Sequence, residues 1–170
     1  MTISMYSASV PALRRGLSAL KGVLVKGKAF AAERGVEEAV LTNSRLFPDM
    51  LPFRAQVYIA TDVAKFAAAR LGELTAPSFE DNQESFDDLI ARVDSTLEFL
   101  EGVKPEQLNG TEEKEVVMKR RKEEIKLTGL FYLTAHVLPN FYFHLSTAYG
   151  LLRQNGVSLD KIDYLGQKKE

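Results

Sequence analysis

The sequence holds few residues that could perform chemistry. It contains two histidines and no cysteine, which excludes disulfides, thiolate nucleophiles and thiolate metal ligands. No serine stands in a strand–turn–helix elbow, so no Ser–His–Asp triad is predicted. The glycines are scattered and form neither a P-loop nor a dinucleotide-binding fingerprint. Any site must therefore be built from histidine, carboxylate or amide side chains.

One set of polar residues occupies inward positions on two predicted helices. Asn140 and His144 are four residues apart and share one helix face, while Gln56 stands near the start of an earlier helix. Helical bundles build ligand and metal sites from side chains that project inward on facing helices, so Gln56, Asn140 and His144 predict the polar end of a small-molecule pocket. The alternative is that His144 is a core histidine hydrogen-bonded to an amide.

A metal site is not favoured by these residues. Zinc and iron sites generally use about three His or carboxylate ligands, because amide oxygens are weak ligands for these metals. Here only His144 could serve, so we predict no cofactor. His136 precedes it by eight residues, but Pro139 lies between them and makes a shared face doubtful. We predict a structural role for His136.

Three carboxylates could act as a general acid or base, but no spacing brings them together and none is assigned a catalytic role. They are Asp49, Asp62 and Asp81.

Composition indicates one folded domain covering residues 1–170. Hydrophobic residues make up 45% of the chain and charged residues 26%, as in an ordinary globular protein. With 22 basic and 23 acidic residues, there is no field to attract nucleic acid. The N-terminus does not resemble a secretion signal, and no run of about 18 apolar residues occurs. We predict a cytoplasmic protein that binds neither nucleic acid nor membrane.

Apolar residues recur at spacings of three and four in four long segments, which predicts an all-α four-helix bundle. The second segment is apolar on two faces and should be the most buried. The segments run from Ser7 or Ser9 to Gly35, from Phe53 to Leu71, from Phe86 to Leu100, and from Thr128 to Asn155 with a division at Pro139.

Three glycines interrupt the first predicted helix: Gly16, Gly22 and Gly27. Each costs about 1 kcal/mol relative to alanine within a helix. We predict that they permit a close backbone contact with a neighbouring element.

The connections between helices differ in character. Residues 46–53 contain two prolines, and residues 72–84 are rich in acidic side chains, so both are predicted to be surface loops. Residues 112–127 form two short, partly alternating segments around a charged turn, which predicts either a β-hairpin or a helical extension. The basic run 119–122 is flanked by glutamates and is interpreted as a solvated turn.

Three stretches resemble an uncharacterised bacterial family within the DinB/YfiT-like superfamily: MYSASVPALRRGLSAL, RLFPDMLPFRAQVYIATDVAKFAAARL and PNFYFHLSTAYGLLRQNGVSLDKIDYLG. The resemblance implies a four-helix bundle of up-down-down-up topology, often a homodimer. Many superfamily members bind a divalent metal through three histidines, one on the second helix and two spaced i, i+4 on the last, and some are thiol-dependent transferases. The matching positions here are Gln56, Asn140 and His144, so a single histidine is kept.

Three functions follow from this comparison, and whether the protein is an enzyme stays open. The first is a bundle without the superfamily metal, whose cavity near Gln56, Asn140 and His144 holds a small molecule. The second is a metal-dependent thiol or small-molecule transferase in which His144 is a ligand. The third is a dimeric scaffold without a ligand.

Overall fold

A computed structural model describes residues 3–120 and 123–166. Four long helices dominate it: α1 (Met5–Arg34), α3 (Phe53–Gly72), α4 (Phe86–Glu101) and α7 (Leu138–Gln154). The smaller elements are α2 (Glu38–Thr42), α5 (Pro105–Leu108), β1 (Glu115–Arg120), β2 (Glu123–Thr128), α6 (Gly129–Phe131), a π-helix (Tyr132–Val137) and α8 (Lys161–Leu165). None of the helices within these described ranges combines the length and apolarity that a membrane span requires.

Helix α1 begins earlier than the sequence predicted. Ser4 is its N-cap, and the Ser4 hydroxyl accepts a hydrogen bond from the backbone N–H of Ser7. Ser7 completes a capping box with it, so two exposed N–H groups are satisfied at once. Ser9 instead lies inside the helix and donates to a backbone carbonyl. The predicted end is confirmed, because Gly35 adopts a left-handed conformation with φ of 63°.

Ion pairs and hydrogen bonds define how the long helices run. Helix α1 is joined to α4 by Arg14–Glu101, Lys21–Asp94 and Lys28–Asp87. The partner number falls as the α1 number rises, so these two helices are antiparallel. Between α3 and α4 the contacts are Phe53 with Phe86 and Thr61 with Arg92, where both numbers rise together. These two helices are therefore parallel.

Helix α7 runs against α3. Gln56 contacts His144 near the start of α3, and Arg70 contacts Tyr132 near its end. The four long helices therefore point up, down, down and up in chain order, which confirms the topology that the resemblance implied.

Helix α3 packs on all three other long helices, as α1 also does. One of its predicted apolar stripes is at most 1% exposed: Phe53, Val57, Ala60, Ala64, Ala67 and Leu71. The second predicted stripe, Ile59, Val63 and Phe66, is half-buried. Alanine along the first stripe allows the helices to approach closely.

Two of the three α1 glycines permit such close packing. A β-carbon at Gly16 would overlap the ring of Phe141, and one at Gly27 would lie 2.8 Å from Leu152. The prediction is confirmed for both. It is wrong for Gly22, around which no atom lies within 4 Å of an added β-carbon, because this position faces away from the bundle.

The segment before the last helix is a β-hairpin, so the alternative of a helical extension is wrong. Strands β1 and β2 pair antiparallel, with Val116 opposite Leu127 and Met118 opposite Ile125. Apolar residues at alternate positions pack one hairpin face towards the helices, which a helix could not do with this period. Of the basic run, Lys119 is exposed, and residues 121 and 122 lie outside the described part of the chain.

The helical region that follows passes through Pro139 without a break. Proline has no N–H to donate, so one carbonyl in the preceding turn loses its usual helical partner. The chain widens into the π-helix just before this point, where the N–H of Leu138 donates to the carbonyl of Leu133. Pro139 is then the second residue of α7, so the predicted division is a change from π-helix to α-helix and not an interruption.

Candidate functional site

The histidine and the glutamine singled out from the sequence contact each other. Nδ1 of His144 lies 2.7 Å from Oε1 of Gln56. The amide nitrogen of Gln56 donates to the carbonyl of Leu51 at 3.0 Å, which turns the amide oxygen towards the imidazole. An amide oxygen can only accept. The imidazole therefore donates from Nδ1–H, which is the tautomer that this bond requires.

The surroundings keep this imidazole neutral. His144 is 8% exposed and Gln56 is 2% exposed. Burial lowers the pKa of His144 from its usual value of 6.5, because the charged form loses its hydration. The ring of Phe143 meets the imidazole edge to face at 5.2 Å. At neutral pH, His144 is thus an uncharged core residue bonded to an amide.

Asn140 lies in a different environment from this pair. It is half-buried and lines a cleft of about 570 Å³ between the hairpin and the helical segment that follows it. His136 lines the same cleft, and its ring stacks on Tyr132 at 5.8 Å. The structure thus brings Gln56 and His144 together and places Asn140 one helical turn away, on the cleft wall.

These residues do not fit the divalent metal of the superfamily. The set offers one imidazole and two carboxamides, and both polar atoms of the Gln56 amide already have hydrogen-bond partners within the protein. Amide oxygens are poor ligands for zinc or iron. Within the described ranges, no three His, Asp or Glu side chains are grouped so that they could hold a metal ion.

Two of the three carboxylates that the sequence offered are counterions of buried cations. Asp62 lies 2.9 Å from Nη2 of Arg92 and 2.8 Å from Nζ of Lys65. Asp81 lies 2.8 Å from Nη1 of Arg92. Asp49 is exposed in the connection before α3. Carboxylates held in this way balance charge within the fold.

Arg92 is the principal polar residue that sequence reasoning missed. Its side chain is 1% exposed, and Nε donates to Thr61 at 2.8 Å. The guanidinium also donates to Gln83 at 3.0 Å and stacks on the ring of Phe79 at 4.7 Å. The connection after α3 was predicted to be a polar surface loop. It does lie on the surface, since none of residues 73–85 is buried, but Phe79 and Asp81 within it also contact the buried Arg92.

The spacing of residues in α4 already indicated that Arg92 faces inward. Arg92 follows Leu89 by three residues and precedes Thr96 by four, so it shares the inward face of α4. The apolar spacing that predicts this helix runs through Ile90 and Val93, of which Ile90 is only half-buried. A charged residue on an apolar stripe is the feature that could have been recognised.

Comparison with known proteins identifies the family of this chain and a similar solved structure. A family model described as a domain of unknown function, DUF1993, matches residues 5–165. The chain belongs to the DUF1993 family. No curated protein matches it. Among solved structures, it is similar to a DinB family member protein from Shewanella denitrificans, with 36% identity, a TM-score of 0.89, and coverage of 97% of this chain and 93% of that one.

The similarity to a DinB family structure agrees with the fold described above, an all-α bundle of the DinB-like type with a short hairpin. The DUF1993 description carries no activity, so function must be argued from the side chains themselves.

Proposed function

We propose that this protein is a metal-independent bundle that binds a small molecule, with Gln56, Asn140 and His144 at or near the polar end of the site. The observation that carries the metal-independent part is the 2.7 Å hydrogen bond between His144 and Gln56. This bond joins the residues at two of the three positions that commonly bind the metal in the superfamily. The binding part is supported by the cleft that Asn140 lines, whose 570 Å³ lies within the usual range of about 300–1,000 Å³ for ligand sites.

The decisive experiment is metal analysis of the purified protein, followed by thermal unfolding with added zinc, nickel or manganese. A ligand that binds only the native state raises its stability by mass action. We expect no stoichiometric metal and no large stabilisation. A 1:1 metal that disappears on His144→Ala would overturn the proposal in favour of the transferase, which needs His144 as a metal ligand.

A second copy of the chain is the partner that the surface favours, as the resemblance implied. A groove beside α7 is lined by Leu46, Tyr142, Phe143, Ser146, Thr147 and Gly150. Leu46 is 53% exposed and Phe143 is 57% exposed. The lining carries no charge, and it combines projecting side chains with a recess on one face, as a two-fold interface requires of a self-complementary surface.

Analytical ultracentrifugation tests this homodimer. We expect Phe143→Glu to give a monomer, since it would bury a charge at the interface. Phe131→Glu is the matched control, because Phe131 is also 57% exposed but lies at the hairpin cleft. If both variants sediment like the unmodified protein, this face is not the interface. The cytoplasmic location and the lack of nucleic-acid binding stay predictions from the sequence.

A further inference from the structure

The hairpin leaves half of its inner face uncovered. Val116 and Met118 on β1 are 3% and 8% exposed. Their cross-strand partners Leu127 and Ile125 belong to the same face, yet both are only half-buried. Facing cross-strand residues normally share one environment. Val116 and Met118 pack on the bundle, while Ile125 and Leu127, together with Met118, form one wall of the 570 Å³ cleft.

The opposite wall combines apolar surface with two polar groups. Phe131 is 57% exposed although it lines the cleft, so its ring is apolar surface that an occupant would cover. His136 and Asn140 supply the polar groups. A carboxamide can both donate and accept hydrogen bonds. A ligand with one carbonyl, hydroxyl or amide group would find a partner there.

Contacts behind this wall connect it to the core of the bundle. The His136 ring stacks on Tyr132 with an angle of 17° between the rings. The Tyr132 hydroxyl in turn accepts a hydrogen bond from Arg70 at 3.0 Å. Tyr132 is 1% exposed, so the chain of contacts ends in the core. A wall that is already ordered reduces the entropic cost of binding.

Charge decides the class of ligand. Among the described residues that line the cleft, none is Asp, Glu, Lys or Arg. Among these described residues, an ionised ligand would lose hydration without meeting an opposite charge. The nearest lysine on β2, Lys126, pairs with Glu115 at 3.0 Å.

We propose that the cleft between the hairpin and residues 131–140 binds an uncharged, mainly apolar molecule with one hydrogen-bonding group. The inference rests on the proposed function, since it names the place and class of the ligand predicted there. The cleft shares Asn140 with the superfamily metal position but differs from it in that the hairpin, rather than α3, supplies the facing wall.

Fluorescence titration with N-phenyl-1-naphthylamine, an uncharged aromatic amine, provides the test. The full chain contains no tryptophan, so the emission of the probe is measured without that background. We expect saturable 1:1 binding. Phe131→Ala should weaken it about tenfold, as expected for losing roughly 1.4 kcal/mol of apolar contact. Phe143→Ala removes an equally exposed ring from the groove beside α7 and should change the affinity less than twofold.

A second variant and a second probe separate the outcomes. Ala135→Phe adds bulk at an exposed position that lines the cleft and should abolish binding, while thermal unfolding confirms that the fold is kept. Binding that is insensitive to both cleft variants but lost in Phe143→Ala or His144→Ala would overturn this inference and leave the proposed function standing. No saturable binding of the probe would overturn it too. Tighter binding of the anionic probe 8-anilinonaphthalene-1-sulfonate at the cleft would contradict the ligand class.

Discussion

The imidazole of His144 and the carboxamide of Gln56 are hydrogen-bonded at 2.7 Å although 88 residues separate them in the chain. The bond joins the fourth residue of α3 to the middle of α7, and a further bond ties Gln56 to the carbonyl of Leu51. The residues at two positions that commonly bind a metal in the superfamily are therefore hydrogen-bonded to each other. In this chain the bond joins two antiparallel helices and satisfies polar groups that are buried.

Removing the glutamine should destabilise the fold. Gln56→Ala leaves a buried imidazole N–H without a partner, which costs about 1–3 kcal/mol. Urea unfolding followed by circular dichroism measures this loss. Gln154→Ala is the control, because Gln154 is exposed near the end of α7 and should change the free energy of unfolding by less than about 0.5 kcal/mol. Equal effects of the two substitutions would mean that the bond contributes nothing.

Stability should fall in acid because of His144. Its pKa in the folded state is below 6.5, whereas the unfolded chain has the ordinary value near 6.5. Below that pH the unfolded state binds a proton that the folded state resists, so the contribution of His144 is fully present above about pH 6.5 and declines as the pH falls towards the folded pKa. An NMR titration should find the His144 pKa below 6.5. The neutral variant His144→Gln should reduce the slope of unfolding free energy against pH, and an unchanged slope would contradict this assignment.

The two carboxylates on Arg92 should differ in their contributions. Asp62 forms ion pairs with both Lys65 and Arg92, whose side chains are 4% and 1% exposed. Asp62→Asn therefore deprives two buried cations of a counterion. We expect it to lower the free energy of unfolding by about 2–4 kcal/mol, near the lower end of the range for breaking buried ion pairs because Asp62 is partly solvated. Asp81 is 61% exposed at its side chain, so Asp81→Asn should cost less than about 1 kcal/mol.

Urea unfolding of both aspartate variants makes this comparison. Limited proteolysis adds a local measurement, since loss of Arg92 contacts should open the connection at residues 73–85. Cleavage there should be faster in Arg92→Met than in the unmodified protein. If Asp81→Asn is the more damaging change, the cluster is held together chiefly by the connection and not by α3.

Replacing a glycine of α1 with alanine should raise stability at one position and lower it at two others. Gly22→Ala should stabilise the protein by about 0.5–1 kcal/mol, because alanine is the better helix former and nothing obstructs its methyl group there. Gly16→Ala and Gly27→Ala should destabilise it by about 1–3 kcal/mol, because the methyl group would press on Phe141 or Leu152. Thermal and urea unfolding of the three variants checks the order. Stabilisation by all three would mean that the contacts at Gly16 and Gly27 are loose.

The local sequence was sufficient to predict the four long helices from apolar spacing and the end of α1 from Gly35, since each depends on nearby residues alone. It also predicted that Gln56 and His144 face inward. The start of α1 was misplaced because several serines compete as N-caps, and only the reciprocal Ser4 and Ser7 bonds distinguish them.

Tertiary structure decided which inward residues meet. Asn140 and His144 share one face of α7, so whether Asn140 joins the His144–Gln56 pair or lines the cleft depends on which element packs beside each turn of that helix. That arrangement is set by packing along the whole bundle. The burial of Arg92 likewise depends on Asp81 and Phe79 reaching it from a connection that no periodic pattern describes. Periodicity is a local property of the chain, whereas a hydrogen bond across 88 residues requires the relative height and rotation of two helices, which only the assembled core defines.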